Sequence, residues 1–311
     1  MKIIFTDYVH PLLAQALSSD GHLCDDFSNK NADEIMARLD QYEGIVIRSK
    51  IKLDKKNIDK ANKLKWIARV GAGMESIDVD YAKSKGIVCL NSPEGNRNAV
   101  AEHSIGLLLA LFNNICKANQ EVKTGKWLRA ENRGVELSGK TIGIIGCGNT
   151  GSAFALCLKG FDVRILAYDK YKEGISNEFI RRVDLDILFD EADIISLHLP
   201  LTEETNQLVN TDFINKFKKN IYLLNTSRGK IVCTNDLVNA LQLGKVKGAA
   251  LDVLEFEDIS FQSLYNQELS TAYQYLLNAS NVIITPHIAG WTYEAEQKMA
   301  GVLLQKIKAF V

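Results

Sequence analysis

The stretch Thr141-Ile142-Gly143-Ile144-Ile145-Gly146-Cys147-Gly148-Asn149-Thr150-Gly151 decides the fold of this 311-residue chain. Apolar, β-favouring residues run into a G-x-G-x-x-G loop, and the loop opens a helical pattern that lasts through Leu158. A second strand pattern, Val163 to Tyr168, then ends in Asp169, 18 residues past Gly151. Alone, three spaced glycines are a weak signal. Strand, loop, helix, strand and acid in that order form the fingerprint of a dinucleotide-binding βαβ unit. Gly146 allows the tight turn, Gly148 lets backbone approach a pyrophosphate, and Gly151 lets helix and strand pack closely. The helix start offers amides and a positive dipole end to the phosphates. Asp169 is placed to accept from the ribose hydroxyls and to repel a 2′-phosphate, which favours NAD over NADP. Lys170 and Lys172 soften that preference.

The same alternation extends both ways. Upstream, Lys2–Asp7, Gly44–Arg48, Lys65–Val70 and Ile87–Leu90 read as strands, with helical patterns at Asp33–Leu39, Asp78–Lys85 and the nearly all-apolar Val100–Asn113. A polar linker, Thr124–Gly139, looks like a boundary. Downstream, Asp193–Leu197, Ile221–Leu224, Gly248–Leu251 and Val282–Thr285 continue the strands, and Thr234–Leu243 reads as a helix with Thr234 as N-cap and Gly244 at its C-terminal stop. This is an α/β chain with two parallel-sheet units.

Composition sets limits. Charged residues make up 24% and the net charge is -1, from 37 basic and 38 acidic side chains. No general attraction for nucleic acid or anionic membrane follows, so any bound anion must be caught by local groups. The longest apolar stretch, Ile105–Phe112, is too short for a bilayer, and an acid at Asp7 argues against a secretory leader. The six cysteines contain no C-x-x-C pair and sit mostly in apolar stretches. They read as buried, reduced thiols of a cytoplasmic protein, with no metal site.

In an open α/β sheet, ligands bind outside the carboxyl ends of the strands. The polar residues of the second half fall at those ends: the glycine loop, Asp169, His198-Leu199-Pro200, Asn225-Thr226-Ser227-Arg228-Gly229, Asp252 and Pro286-His287. That sorting marks a site. A histidine suits proton exchange with a hydroxyl near neutral pH, a neighbouring carboxylate orients the ring, and an arginine fork matches a substrate carboxylate. His287, Glu257 and Arg228 are the candidates. Singly each has a plainer reading, as a structural histidine, a solvated acid and a surface arginine. His10 and His22 read as surface residues, His103 as a core histidine, and His198 as a packing neighbour of the cofactor edge.

Together these residues resemble the D-isomer-specific 2-hydroxyacid dehydrogenases, and within that family the phosphoglycerate dehydrogenase branch. The resemblance covers nearly the whole chain, through Val46-Ile47-Arg48-Ser49, Ala68-Arg69-Val70-Gly71-Ala72-Gly73, Pro93-Glu94-Gly95-Asn96, Gly125-Lys126-Trp127, His198-Leu199-Pro200-Leu201-Thr202 with Thr205, Asn225-Thr226-Ser227-Arg228-Gly229, Gly248-Ala249-Ala250-Leu251-Asp252-Val253 and Thr285-Pro286-His287-Ile288-Ala289-Gly290. It implies two Rossmann-like domains around a cleft: residues 1–98 with 285–311 for substrate, and 99–284 for NAD. It implies catalysis by Arg228, Glu257 and His287, with Glu257 preferred over Glu255 because the family's acid lies five residues past the position of Asp252. Cofactor contacts fall to Gly146, Gly148, Asn149, Thr150, Gly151, Asp169, Leu199, Pro200, Thr205, Thr226, Ser227, Asp252, Gly290 and Ala72. Substrate contacts fall to Gly71, Ala72, Gly73 and Arg228, with Arg48 near the far end. The reaction implied is NAD-dependent interconversion of a D-2-hydroxy acid and its 2-oxo acid by a homodimer formed through the NAD-binding domain.

Among substrates the resemblance ranks 3-phosphoglycerate first, a place in serine biosynthesis, with hydroxypyruvate, glyoxylate and D-lactate behind it. A basic cluster drawn from Arg48, Arg69, Arg129 and Arg133 would favour the phosphate. Three departures bear on this choice. Asp258 stands where the family commonly has proline, residues 259–280 form a longer stretch than usual, and Trp291 replaces a small residue. The chain ends soon after the core at Val311, so the family's regulatory extension is expected to be absent. A formate dehydrogenase is disfavoured because Glu257 stands where that enzyme has glutamine. An NAD(H)-sensing corepressor is the remaining alternative, and steady NADH turnover separates it from an enzyme.

Overall fold

The computed structural model describes residues 1–257 and 270–311. These form two compact units, one of Met1–Arg97 with Trp291–Val311 and one of Asn98–Glu257 with residues 270–290.

The first unit is a five-stranded sheet of β1 (Lys2–Phe5), β2 (Leu23–Asp26), β3 (Gly44–Ile47), β4 (Trp66–Arg69) and β5 (Val88–Asn91), in the order β2-β1-β3-β4-β5 with every pair parallel. Strands β3 and β4 are buried throughout because helices cover both faces. Gly44 and Trp66 are register partners. The indole fills the space a Cβ at Gly44 would need, so the smallest and largest side chains share one slot. The closing helix, Tyr293–Phe310, is capped by Thr292, whose hydroxyl accepts from the Ala295 amide at 3.1 Å. Glu294 and Glu296 in its first turn complement the helix dipole.

The second unit is a seven-stranded parallel sheet of β6 (Thr141–Ile145), β7 (Arg164–Tyr168), β8 (Ile180–Arg182), β9 (Ile194–Leu197), β10 (Ile221–Asn225), β11 (Val246–Leu251) and β12 (Val282–Ile284). Its order, β12-β11-β10-β9-β6-β7-β8, reverses direction between β6 and β9. At such a switch point the loops after two adjacent strands diverge and leave room for a ligand. The glycine loop after β6 and His198 after β9 stand there. Apolar clusters fill both faces, one around Phe213, Phe217 and Leu237 and the other around Phe154, Leu108 and Ile144.

Several expectations need correction. Strands β2 and β8 carry acids or arginines and lie at sheet edges. One exposed side removes the apolar alternation that reveals a strand in sequence. The apolar helix starts at Pro93 and runs to Phe112, and Ile115–Lys123 is a further helix after the left-handed residue Asn114. Thr234 is the first helical residue, not the N-cap. Its amide is satisfied by the Glu255 carboxylate at 3.0 Å. Of the six thiols only Cys147 is buried, and Cys116 and Cys157 are exposed; none is paired. Asp258 and residues 259–269 of the long stretch lie outside the described residues, while Thr271–Asn278 forms a helix. Among the described residues no single helix is long and apolar enough to cross a membrane, and no cluster of histidine, cysteine and acid side chains could hold a metal.

Candidate active site

The carboxyl edge of the seven-stranded sheet gathers the second unit's candidates. Gly146 follows β6 with φ +90, and a Cβ there would lie 2.4 Å from the His198 carbonyl oxygen. At Gly151 a Cβ would lie 2.1 Å from the Gly146 oxygen. Both positions therefore require glycine. At Gly148 a Cβ would meet nothing within 4 Å, so this residue faces open space. It is also the N-cap of helix Asn149–Cys157 and supplies no side-chain acceptor, which leaves first-turn amides for an anion. This cradle fits a dinucleotide pyrophosphate.

Asp169 closes the loop from the side. Its Oδ2 accepts from the Cys147 amide at 2.9 Å, and its Oδ1 accepts from the amides of Tyr171 and Lys172 at 3.0 and 2.9 Å. Lys172 Nζ in turn donates to the Cys147 carbonyl at 3.1 Å, while Lys170 pairs with Glu204. His198 is buried against Phe154, with Ser196 Oγ 2.8 Å from Nε2 and Thr150 Oγ1 3.3 Å from Nδ1. Burial pushes its pKa down to about 3, so it is a neutral packing group. Thr205 spends its hydroxyl on the Pro200 carbonyl at 2.6 Å and fixes the turn carrying Leu199 and Pro200. Thr226 pairs with Ser104 at 3.0 Å. Ser227 Oγ donates to Asn225 Oδ1 at 2.8 Å, and Asn225 Nδ2 donates to the Arg228 carbonyl at 3.0 Å. Asn225 thereby sets the turn from which Arg228 projects, with one guanidinium nitrogen on the Ser227 carbonyl at 2.7 Å.

His287 and Glu257 meet. Nδ1 of the ring lies 2.6 Å from Glu257 Oε2, and both side chains are largely covered. A carboxylate accepts only, so Nδ1 carries the proton and Nε2 is the ring's acceptor nitrogen. Glu257 Oε1 also accepts from the Leu254 amide, which fixes the carboxylate. Glu255, two residues earlier, is engaged elsewhere, with Gln207 and Thr234.

What holds His287 is less visible in sequence. The residue sits at φ 55, a conformation uncommon outside glycine and typical of constrained sites. Its amide donates to the Asp252 carbonyl at 2.8 Å. The Asp252 carboxylate, 1% exposed, accepts from Thr285 Oγ1 (2.6 Å), the Ile288 amide (2.9 Å) and the Ala289 amide (2.8 Å). His103 Nε2 lies 3.1 Å from Thr285 Oγ1 and 3.5 Å from Asp252. Burial raises the Asp252 pKa, but His103, Thr285 and the two amides outweigh it and hold the carboxyl below its usual range. His103 is thus a partner in this network, not the core histidine its apolar helix implies. Gly290 ends the loop.

The five-stranded unit carries the other candidates on the carboxyl edge of its own sheet. Gly71, after β4, has φ +146, and its amide donates to Ser92 Oγ at 3.1 Å. Among the described residues the amides of Ala72 and Gly73 have no hydrogen-bond acceptor, whereas the Ala72 carbonyl accepts from Asn91 Nδ2 at 2.7 Å. Arg48, after β3, donates to Glu296 Oε1 at 3.2 Å and stacks on Trp291, with Cζ 5.0 Å from the ring centroid. Arg69 is buried, its Nε on the Arg48 carbonyl at 3.2 Å, while Arg129 and Arg133 are exposed on the second unit.

Comparison with known proteins places the chain in a family. Residues 105–289 match the model of the D-isomer specific 2-hydroxyacid dehydrogenase NAD binding domain. A D-3-phosphoglycerate dehydrogenase of Archaeoglobus fulgidus is 35% identical over 309 residues, 99% of this chain and 56% of the relative. A hydroxypyruvate reductase of Thermotoga maritima is 39% identical over 275 residues, covering 88% of this chain and 87% of the relative. The solved D-lactate dehydrogenase of Aquifex aeolicus, complexed with NAD and lactic acid, superposes with a TM-score of 0.85 at 31% identity, over 100% of this chain and 95% of that one. The chain spans about half the length of the phosphoglycerate dehydrogenases it matches.

Proposed function

This chain belongs to the D-isomer specific 2-hydroxyacid dehydrogenase family, and we propose that it is an NAD-dependent oxidoreductase interconverting a small D-2-hydroxy acid and its 2-oxo acid. The observation that carries the reading is the 2.6 Å contact between His287 Nδ1 and Glu257 on the edge of the sheet that bears the glycine cradle. When bound, NAD supplies the hydride acceptor and NADH the donor. The chain's residues handle the rest. Gly146, Gly148, Asn149, Thr150 and Gly151 hold the pyrophosphate, and Asp169 selects the unphosphorylated ribose. Leu199, Pro200, Thr205, Thr226, Ser227, Asp252, Gly290 and Ala72 shape the remainder of the cofactor site. His287 takes the hydroxyl proton at Nε2 during oxidation and returns it during reduction, while Glu257 fixes the tautomer and stabilises the imidazolium. Arg228 is assigned to the substrate carboxylate, as are the amides of Ala72 and Gly73, and Arg48 is assigned to the other end of the acid.

We assign substrate binding to the unit with the five-stranded sheet and cofactor binding to the other. A homodimer through the NAD-binding unit is supported by exposed apolar side chains at Ile115, Val122, Trp127, Leu128 and Val135. Unpaired thiols are consistent with a reducing compartment, the cytoplasm. With 3-phosphoglycerate as substrate, the reaction would open serine biosynthesis. The test is NADH oxidation by the purified protein over a panel of 2-oxo acids, including hydroxypyruvate, glyoxylate, pyruvate and 3-phosphohydroxypyruvate. Steady turnover with at least one is expected; NADH binding without turnover of any would replace the enzyme with a sensor.

A further inference from the structure

We infer that the acid taken by this protein ends in a short uncharged group, and that the cluster of Arg48, Trp291 and Glu296 selects against a terminal phosphate. The inference rests on the reading above, in which the carboxyl edge of the five-stranded sheet receives the substrate. Arg48 is the first residue after β3, and the Ala72 and Gly73 amides follow β4, its register neighbour (Ile47 beside Arg69). A group bound through those amides therefore has Arg48 alongside.

A terminal phosphate needs an unspent cation, ideally a guanidinium edge that can donate two parallel bonds. Arg48 is already committed on an edge and a face. Its Nη1 donates to Glu296 Oε1 at 3.2 Å, and the same oxygen accepts from Trp291 Nε1 at 3.1 Å. One carboxylate oxygen thus fastens both side chains into a stacked pair, with Cζ 5.0 Å from the ring centroid. The Glu296 side chain is 16% exposed and that of Arg48 25%, so solvent screens this pair less than a surface one. The Arg48 backbone is fixed as well, its amide on Asp7 at 2.9 Å and its carbonyl under Arg69 Nε at 3.2 Å. Lys50, two residues on, turns onto the carbonyls of Ser28 and Lys30. A phosphate dianion beside Arg48 would have to displace Glu296 and then lie next to its carboxylate. A hydroxymethyl group or an aldehyde hydrogen requires no such exchange and gains the indole as a wall.

The experiment is steady-state NADH oxidation by the whole protein with hydroxypyruvate, glyoxylate and 3-phosphohydroxypyruvate, for wild type, Glu296→Gln and Trp291→Ser. Wild type should show kcat/KM for hydroxypyruvate at least about 10-fold above that for the phosphorylated acid, the scale of one like-charge clash. Glu296→Gln should move the ratio toward the phosphorylated acid by about 10-fold, mainly through its KM, and Trp291→Ser should move it the same way. Equal or better use of 3-phosphohydroxypyruvate by wild type overturns the inference and leaves the 2-oxo acid reductase intact. A ratio unmoved in both variants overturns the assignment to this cluster. Turnover of no 2-oxo acid overturns the reading of function, and this inference with it.

Discussion

Replacing Asp252 with asparagine should damage both the stability of the NAD-binding unit and its turnover. The carboxylate is 1% exposed and accepts three short hydrogen bonds, from Thr285 Oγ1, the Ile288 amide and the Ala289 amide, with His103 at 3.5 Å. Asparagine keeps the shape but has one acceptor oxygen. If that oxygen replaces Oδ1, the NH2 group opposes the Ala289 N–H. One buried donor is then unpaired and the remaining bonds lose their charge assistance, a cost of roughly 2–4 kcal/mol. For a domain of this size that lowers the melting temperature by about 5–12 °C. The same bonds hold residues 285–289, so release of the loop should also misplace His287 and lower kcat by about 10-fold or more.

The pH dependence has a definite sign. The folded carboxyl is held below its usual range, so its contribution is complete above the ordinary carboxylate pKa and is lost as pH falls through the depressed value. The asparagine variant should lack that part of the acid limb. Thermal unfolding from pH 7 to pH 3, with NADH oxidation measured in parallel, checks all three points. A variant melting within about 2 °C of wild type with turnover within twofold would show that the Asp252 carboxylate does not hold this loop.

Glu257→Gln keeps a hydrogen bond to His287 Nδ1 but removes the charge that stabilises imidazolium. Its kcat should fall about 10²-fold, with NADH affinity by fluorescence little changed. Asp169→Ala removes the acceptor that joins the glycine loop to the end of β7, and should narrow the preference for NADH over NADPH, measured as the ratio of kcat/KM values. Gly229→Ala would put a Cβ 1.9 Å from the Leu254 carbonyl oxygen, a backbone atom, and should cost about 3 kcal/mol or more in urea unfolding. His198, buried and with its pKa down at about 3, stays neutral in the fold while the unfolded chain protonates it below about 6.5. Wild type should therefore lose a few kcal/mol as pH falls from 6.5 toward 3, and His198→Asn should lose less over that window.

Much of this was legible in the amino-acid sequence because burial imposes pattern. Buried parallel strands such as β6 and β9 read as mostly apolar runs, and the glycine loop announces itself by backbone demands that only glycine meets. The edge strands β2 and β8 were not legible, since half-exposed backbone accepts acids and arginines. Within the site, the sequence names Arg228, Glu257 and His287 but not what holds them. His103 looks apolar by context because its helix is, yet its ring reaches Thr285, 182 residues away. Asp252 is expected as a cofactor contact from the resemblance, and nothing in the sequence adds that its carboxylate also grips the histidine loop. Nothing in local sequence marks Glu296 as the partner of Arg48, 248 residues earlier. A bond between side chains so far apart in the chain leaves no local periodicity to find.

In the proposed reaction one imidazole, oriented by one carboxylate, exchanges the substrate's proton. Its most direct test is the rate of NADH oxidation by the His287→Asn protein with the best 2-oxo acid, beside NADH binding followed by fluorescence. Intact binding is expected, with turnover reduced by about 10²–10⁴-fold; turnover within a few-fold of wild type would rule out that role for His287.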